Sequence, residues 1–494
     1  MKSIFKAVSA TIYLLTATNL FAQEQENLQK QIERIAEGDV LGNAVVSICA
    51  RTGSGQTLVD IDAGDMLIPA SNMKLISTGA ALHALGGDYK YKTHIGYDGT
   101  IIEGVLMGDL YIIGGGDPTI GSKDTIALPV EHTFALWEKL IKEAGISEID
   151  GRIIGSSGDF FSGMAEEPTW LWNDIGTYYG AGATGLMFYE NMQSFNVTAG
   201  PTEGSPIEVS PSYPDTPWME FRYDCTTGKA GTGDLLYMYT SDLAAVAEIR
   251  GTFAVDRKPK RVDCSNKFPE LTCAYHFTEW LKKHGVQCTQ GAADTRLHKI
   301  EDPEELTILG GTESPSLRRI SFETNHISNN LYAETLFRTL GKEILDKGCY
   351  DSSYVAADKI FKQLGVDISR GINIKDGSGL SRQNYVSSDF FCRFLHAMMS
   401  SPCFEDFVES LPSPGGNGTL SYNMKNYPAE TKARIKAKSG SMNGVRCYSG
   451  YIIPKEGCKD ETIIFSILVN NCTAPTWKVR PLLDKIMGLL AEQN

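Results

Sequence analysis

The chain has 494 residues, room for two or three domains at about 150 residues each. Its 46 basic and 60 acidic residues leave a net charge of −14 with no long basic run, which argues against nucleic acid as a partner, since phosphate binding relies on clustered Lys and Arg. The 42% hydrophobic and 21% charged content is that of a folded globular protein, and 49 glycines imply many tight turns and short strands rather than a helical bundle.

The N-terminus reads as an export signal. Lys2 and Lys6 supply positive charge, Ala7 to Ala22 is apolar or small, and a polar run begins at Gln23. The apolar stretch is broken by Ser9, Thr11, Thr16, Thr18 and Asn19, so it is too short for a membrane span, which needs about 20 apolar residues. Residues 1–22 are therefore expected to be a signal peptide cleaved near Ala22, leaving a periplasmic chain with no membrane span. No cysteine follows the cut to carry a lipid. Eleven cysteines remain, without a CxxC pair. Cys225, Cys264, Cys273 and Cys288 lie close in sequence and are the best disulfide candidates, although buried thiols are the alternative.

After the cut, Leu28, Ile32 and Ile35 have helical spacing. Residues 44–48 and 57–61 read as strands joined by a Gly-rich turn, and a helix follows from Ser71 to Leu85. From about Lys90 to His298 the segments are short, strand-like and Gly-punctuated, with prolines at 201, 206, 211, 214 and 217, as in a β-rich insert. Helical pattern returns over 316–347 and 352–364. The end is strand-like at 435–438, 447–453 and 462–469, with a closing helix over 476–491 whose apolar face is expected to pack on the sheet.

Three short motifs carry chemistry. Ser71-Asn72-Met73-Lys74 places an amine one helical turn from a serine hydroxyl, within reach as its base, and the helix N-terminus favours the anion that forms there. A lysine that accepts a proton must be neutral, which burial or a neighbouring charge such as Lys438 would arrange. The spacing alone is weak evidence. Ser328-Asn329-Asn330 and Lys438-Ser439-Gly440-Ser441 supply the company it needs, because SxxK with S-D-N and K-T-G is the signature of β-lactamases and penicillin-binding proteins.

In detail the chain resembles the D-alanyl-D-alanine carboxypeptidase/endopeptidase family, the type-4 low-molecular-mass penicillin-binding proteins (peptidase family S13). The resemblance runs through Met66 to Lys74 (MLIPASNMK), Gly114 to Thr119 (GGGDPT), Asp376 to Arg382 (DGSGLSR), and Leu411-Pro412 with Gly418-Thr419-Leu420. The first and second motifs lie 257 residues apart and the second and third 110, a split core with its insert between motifs one and two. The sequence departs from the signature in reading Ser-Asn-Asn and Lys-Ser-Gly, which keeps the working groups.

The resemblance implies an α/β (α+β) fold: a penicillin-binding, β-lactamase-like core of mainly antiparallel sheet with helices on both faces. That core would comprise 23–90 and 300–494, interrupted by β-rich domains over 91–299. It implies an acyl-enzyme on Ser71, with Lys74 as base and Ser328 relaying a proton to the leaving amine. Asn330 would hold the substrate backbone or Lys74. Lys438, Ser439, Gly440 and Ser441 would bind the substrate carboxylate, and the N–H groups of Ser71 and Ser441 would form the oxyanion hole. Asp376 to Arg382 would shape the cleft wall. Substrates would be peptidoglycan stem peptides, with β-lactams as covalent inhibitors. A β-lactamase-like hydrolase and a non-hydrolytic β-lactam sensor are the rival readings.

Neither a cofactor nor a metal is expected, since the eight histidines form no HExxH. Gly180 to Gly185 spells GxGxxG without a preceding strand or βαβ unit, against nucleotide binding. Glu166-Glu167-Pro168 resembles a deacylating glutamate but precedes the second motif, and is expected to be a solvated loop.

Overall fold

The computed structural model describes residues 27–298, 300, 303 and 305–494, and the expected signal peptide lies outside them. The chain divides into two compact units.

The first unit comprises Met1–Leu75, Phe361–Ile374 and Gln383–Asn494. Its centre is a five-stranded, fully antiparallel sheet in the order Thr57–Ile61, Val45–Thr52, Ile463–Asn470, Val445–Ile452, Ile435–Met442. The middle strand, IIFSILVN, is buried at all eight positions. A strand covered on both faces has no use for polar alternation, which is why this one reads as a continuous apolar run. One face packs Ile48, Ala50, Phe465 and Ile467 against Leu28 and Ile32 of the helix at 27–36 and against Val479, Leu483 and Leu490 of the closing helix Thr476–Ala491. Alternation sends Ser47 and Cys49 to the opposite face. There the helix Ser388–Met398 buries Phe390, Phe391, Phe394 and Leu395, and Ser388 Oγ lies 2.7 Å from Ser47 Oγ. Helices thus cover both faces of an antiparallel sheet, as expected.

The second unit comprises Ile76–Ile360 and Lys375–Arg382. It holds a mixed five-stranded sheet ordered Ala292–Asp294, Ile153–Ser156, Leu110–Ile113, Lys92–Tyr97, Thr307–Glu313, beside smaller sheets of four, three and three strands. The region is rich in strands, yet two long helices, Val130–Glu143 and Pro269–Lys283, also belong to it. Their inner faces place Phe134, Trp137, Ile141, Phe277 and Leu281 in one apolar core. The apolar residues at 134, 137 and 141 have helical spacing, a signal masked by the surrounding turn-rich sequence. Helices Leu317–His326 and Asn330–Leu345 follow.

All eleven cysteines are thiols. Cys225 and Cys264 share one small apolar cluster, while Cys273, within the helix Pro269–Lys283, and Cys288 sit in a larger core. Of the two readings open for these four, the structure has the reduced thiols, which fill apolar space.

Candidate active site

In the first unit the turn that carries Ser71 is built by Pro69 to Asn72. Ala70 stands at φ +46°, in the left-handed region, and Ala70–Asn72 forms a single 3-10 turn that runs into the helix Met73–Leu85. A non-glycine residue there costs of the order of 1–3 kcal/mol, which the surroundings must offset. Two anchors do so. Asn470 accepts the Ile68 N–H at 2.9 Å and donates to the Ile68 carbonyl at 3.0 Å. Asn72 donates to Ser449 Oγ at 2.7 Å, and Ser449 meets Ser466 at 2.8 Å across the sheet. Asn72, Ser449, Ser466 and Asn470 are supporting residues missed in the sequence. For the last three the signal was polar side chains inside strands otherwise buried and apolar, whereas Asn72 lies in the 3-10 turn.

On that turn Lys74 Nζ donates to Ser71 Oγ at 3.0 Å. Lys74 is fully buried, whereas Ser71 is only half-buried. The hydroxyl is therefore open to a substrate while its amine neighbour is shielded from water.

The edge strand Ile435–Met442 carries the third motif. A Cβ on Gly440 would stand 2.5 Å from the Pro69 carbonyl and 3.0 Å from the Asn72 backbone nitrogen, so only glycine lets this strand approach the turn that carries Ser71. Gly440 therefore acts through packing. Lys438, two residues earlier, projects from the same face of the strand. It is buried and donates to the Ser439 carbonyl at 2.8 Å. Burial, then the charge of Lys74, holds the Lys438 ammonium well below the usual lysine range. The sequence reading offered burial or the charge of Lys438 as what keeps Lys74 neutral. In the structure the depression is seen on Lys438 itself, because two amines buried within each other's field resist carrying two protons. Ser439 is half-buried and Ser441 exposed.

Ser328 and Asn330 lie in the second unit. Ser328 also adopts the left-handed conformation, φ +61°, between the helices Leu317–His326 and Asn330–Leu345. Asn330 Nδ2 donates to the Tyr179 carbonyl at 2.7 Å. Asp376 is buried, and its carboxylate accepts the N–H groups of Gly379 at 2.7 Å, Ser381 at 2.6 Å and Trp170 Nε1 at 2.8 Å. Glu334, from the helix that starts at Asn330, accepts the N–H groups of Gly377 at 3.1 Å and Ser378 at 2.7 Å. Burial, then the neighbouring Asp376 charge, pushes the Glu334 carboxyl up to about 8. The DGSGLSR phrase is thus a loop whose backbone is held by two buried carboxylates. Glu334 had no sequence signal beyond its place in a helix.

Two further readings meet the structure. Glu166 and Glu167 are not a solvated loop: both are buried, Glu166 pairs with the buried Lys267 at 2.5 Å, and Glu167 accepts the Thr169 N–H. Lys267 is 101 residues distant, so nothing local announced the pairing. Gly180 to Gly185 opens no helix, and a Cβ on Gly185 would meet the Ser157 carbonyl at 2.0 Å, so these glycines serve close packing. Among the described residues no group of three or more His, Cys, Asp or Glu side chains is placed to hold a metal ion.

A serine bonded to a buried amine, beside a glycine-relieved edge strand bearing a second buried amine, is an arrangement for acyl transfer. The model of the D-Ala-D-Ala carboxypeptidase 3 (S13) family matches residues 28–491. The chain belongs to that family. It is accordingly a serine-type D-Ala-D-Ala peptidase, a hydrolase. Among its relatives is a D-alanyl-D-alanine carboxypeptidase from an Actinomadura species, 28% identical over 460 residues that cover 91% of this chain and 82% of the relative. The fold is shared with penicillin binding protein 4 from Haemophilus influenzae at a TM-score of 0.78 and 20% identity, covering 93% of this chain and 98% of that one. A predatory peptidoglycan endopeptidase from Bdellovibrio bacteriovorus shares the fold more distantly, at a TM-score of 0.50 and 15% identity, covering 91% and 93% of the two chains.

Proposed function

We propose that this S13 peptidase acts on peptidoglycan stem peptides, removing a terminal D-alanine and cutting D-alanine cross-links through an acyl-enzyme on Ser71. The observation that carries the reading is the 3.0 Å contact between Ser71 Oγ and the buried Lys74 amine. Lys438, depressed by burial and then by the charge of Lys74, resists carrying a second proton beside it, so the pair holds one proton more easily than two. Arrival of the substrate carboxylate at Ser439 and Ser441 favours a charged Lys438, and repulsion then favours a neutral Lys74. Ser71 attacks the carbonyl between the two D-alanines, and the N–H groups of Ser71 and Ser441 receive the oxyanion. Ser328 passes a proton to the departing amine, and water completes hydrolysis. Ser439 and Ser441 stand on an edge strand, where an extended peptide can add main-chain hydrogen bonds.

Purified protein incubated with cross-linked and pentapeptide muropeptides should release monomers and lose one alanine per stem, both blocked by penicillin. Products are read by mass. Rapid penicillin turnover with the peptides untouched would identify a β-lactamase instead, and penicillin acylation with neither turnover nor peptide cleavage a sensor.

The enzyme is further proposed to work in the periplasm after cleavage near Ala22. The charged and apolar start of the sequence supports this, and among the described residues no helix is long and apolar enough to cross a membrane. Mass spectrometry of the exported protein should find Gln23 at the N-terminus; an intact Met1 on the exported chain would sink the idea.

A further inference from the structure

Ser328 is held through its neighbours. Asn330 ties the segment to Tyr179, and Asn329 ties it twice. Asn329 Oδ1 accepts the Tyr332 N–H at 3.1 Å and so caps the helix Asn330–Leu345. Asn329 Nδ2 donates to Glu190 Oε2 at 2.8 Å. The other Glu190 oxygen accepts Ser122 Oγ at 2.8 Å, and Ser122 accepts the Tyr332 hydroxyl at 2.9 Å. Asn329, Glu190, Ser122 and Tyr332 therefore close a ring of hydrogen bonds around the turn that strains Ser328. Glu190 is itself one of three consecutive left-handed residues, Tyr189, Glu190 and Asn191, at φ +54°, +55° and +50°. Its carboxylate is thereby presented by backbone with little freedom to turn away.

Position 329 is asked for a donor on one side and an acceptor on the other. An amide supplies both, while an ionised carboxylate supplies acceptors only. Aspartate, the residue of the S-D-N signature, would still cap the helix but would face the Glu190 carboxylate across a half-buried contact. We propose that Glu190 is a positioning residue that requires asparagine at 329 and, through it, holds Ser328 in its left-handed working conformation. The inference rests on the proton-relay reading of Ser328. Lys123, Asp124 and Tyr332 also face Glu190; Lys123 is paired with Asp263 at 3.0 Å, and burial, then Asp124, raises the Glu190 carboxyl.

The test compares Asn329→Asp, Glu190→Gln, the double variant and Ser71→Ala, reading penicillin acylation rate, peptide kcat and KM, and melting temperature between pH 5 and 8. At pH 7.5 Asn329→Asp should acylate about tenfold more slowly than wild type, or slower still. Its deficit should shrink toward pH 5, because one proton shared by the two carboxylates restores a donor between them. The double variant should regain most of the rate at pH 7.5, since the amide now at position 190 can donate to the carboxylate now at position 329, and its deficit should not depend on pH in this way. It also controls for titration of Asp124. If Asn329→Asp fails to fold, a folded and active double variant supports the pairing. A wild-type rate in Asn329→Asp at pH 7.5, or a folded double variant no faster than the single, would overturn it. Labelling that persists in Ser71→Ala would instead sink the nucleophile reading, so the two failures are distinguishable.

Discussion

Ser71→Ala should abolish penicillin labelling and peptide hydrolysis together, with kcat falling about a million-fold, the scale seen when a serine hydrolase loses its nucleophile. The size follows from the chemistry: without Oγ there is no atom to carry the acyl group, and Lys74 has nothing to deprotonate. What remains is binding and the oxyanion donors, worth a residual acceleration over water of about a thousandfold or more. The fold should survive. The turn is fastened by Asn72 on Ser449 and by Asn470 on Ile68, none of which the substitution touches. A melting temperature near wild type with no labelling is the expected pair of results; stoichiometric labelling of the variant would refute the assignment of Ser71.

Lys74→Met should lower the acylation rate by about 10²- to 10⁴-fold, the range for a lost general base. It should not cost much stability, because the side chain removed is a buried amine whose burial is itself unfavourable, and methionine fills similar volume. The pH dependence offers a second readout. Lys438 is depressed in the folded protein, so between that depressed value and the ordinary lysine value the unfolded chain holds more protons than the folded one. Wild-type stability therefore rises with pH across that window. In Lys74→Met one of the two causes of the depression is gone, Lys438 moves up, and the window narrows. Urea denaturation across alkaline pH measures it. An unchanged slope would mean that the two amines do not sense each other, and undiminished acylation would mean that Lys74 is not the base.

Much of the frame was legible before any tertiary structure. The strands expected at 44–48, 435–438, 447–453 and 462–469 fall within or beside the observed 45–52, 435–442, 445–452 and 463–470, because apolar spacing is a property of neighbours in sequence. The reach from Ser71 to Lys74 is equally local, one turn of helix, so the contact follows from spacing alone. Other features were not legible. The insert's helices were hidden among turns, and Glu166 passed for a surface loop until Lys267, 101 residues away, was found against it. The anchors Ser449 and Asn470, the carboxylate of Glu334 under the DGSGLSR loop, and the closed ring from Asn329 to Glu190 all join residues far apart in the chain.

For this protein the sequence by itself determined the order of the core elements, the family, and the reach from Ser71 to Lys74, because each is written in short-range spacing and residue type. Only the tertiary structure decided that Gly440 has no room for a side chain at Pro69, that Lys438 is a depressed amine, and that Asn329 donates to Glu190. Clearance, burial and field are set by what folding brings close, and a linear pattern carries no distance between residues that meet across the fold.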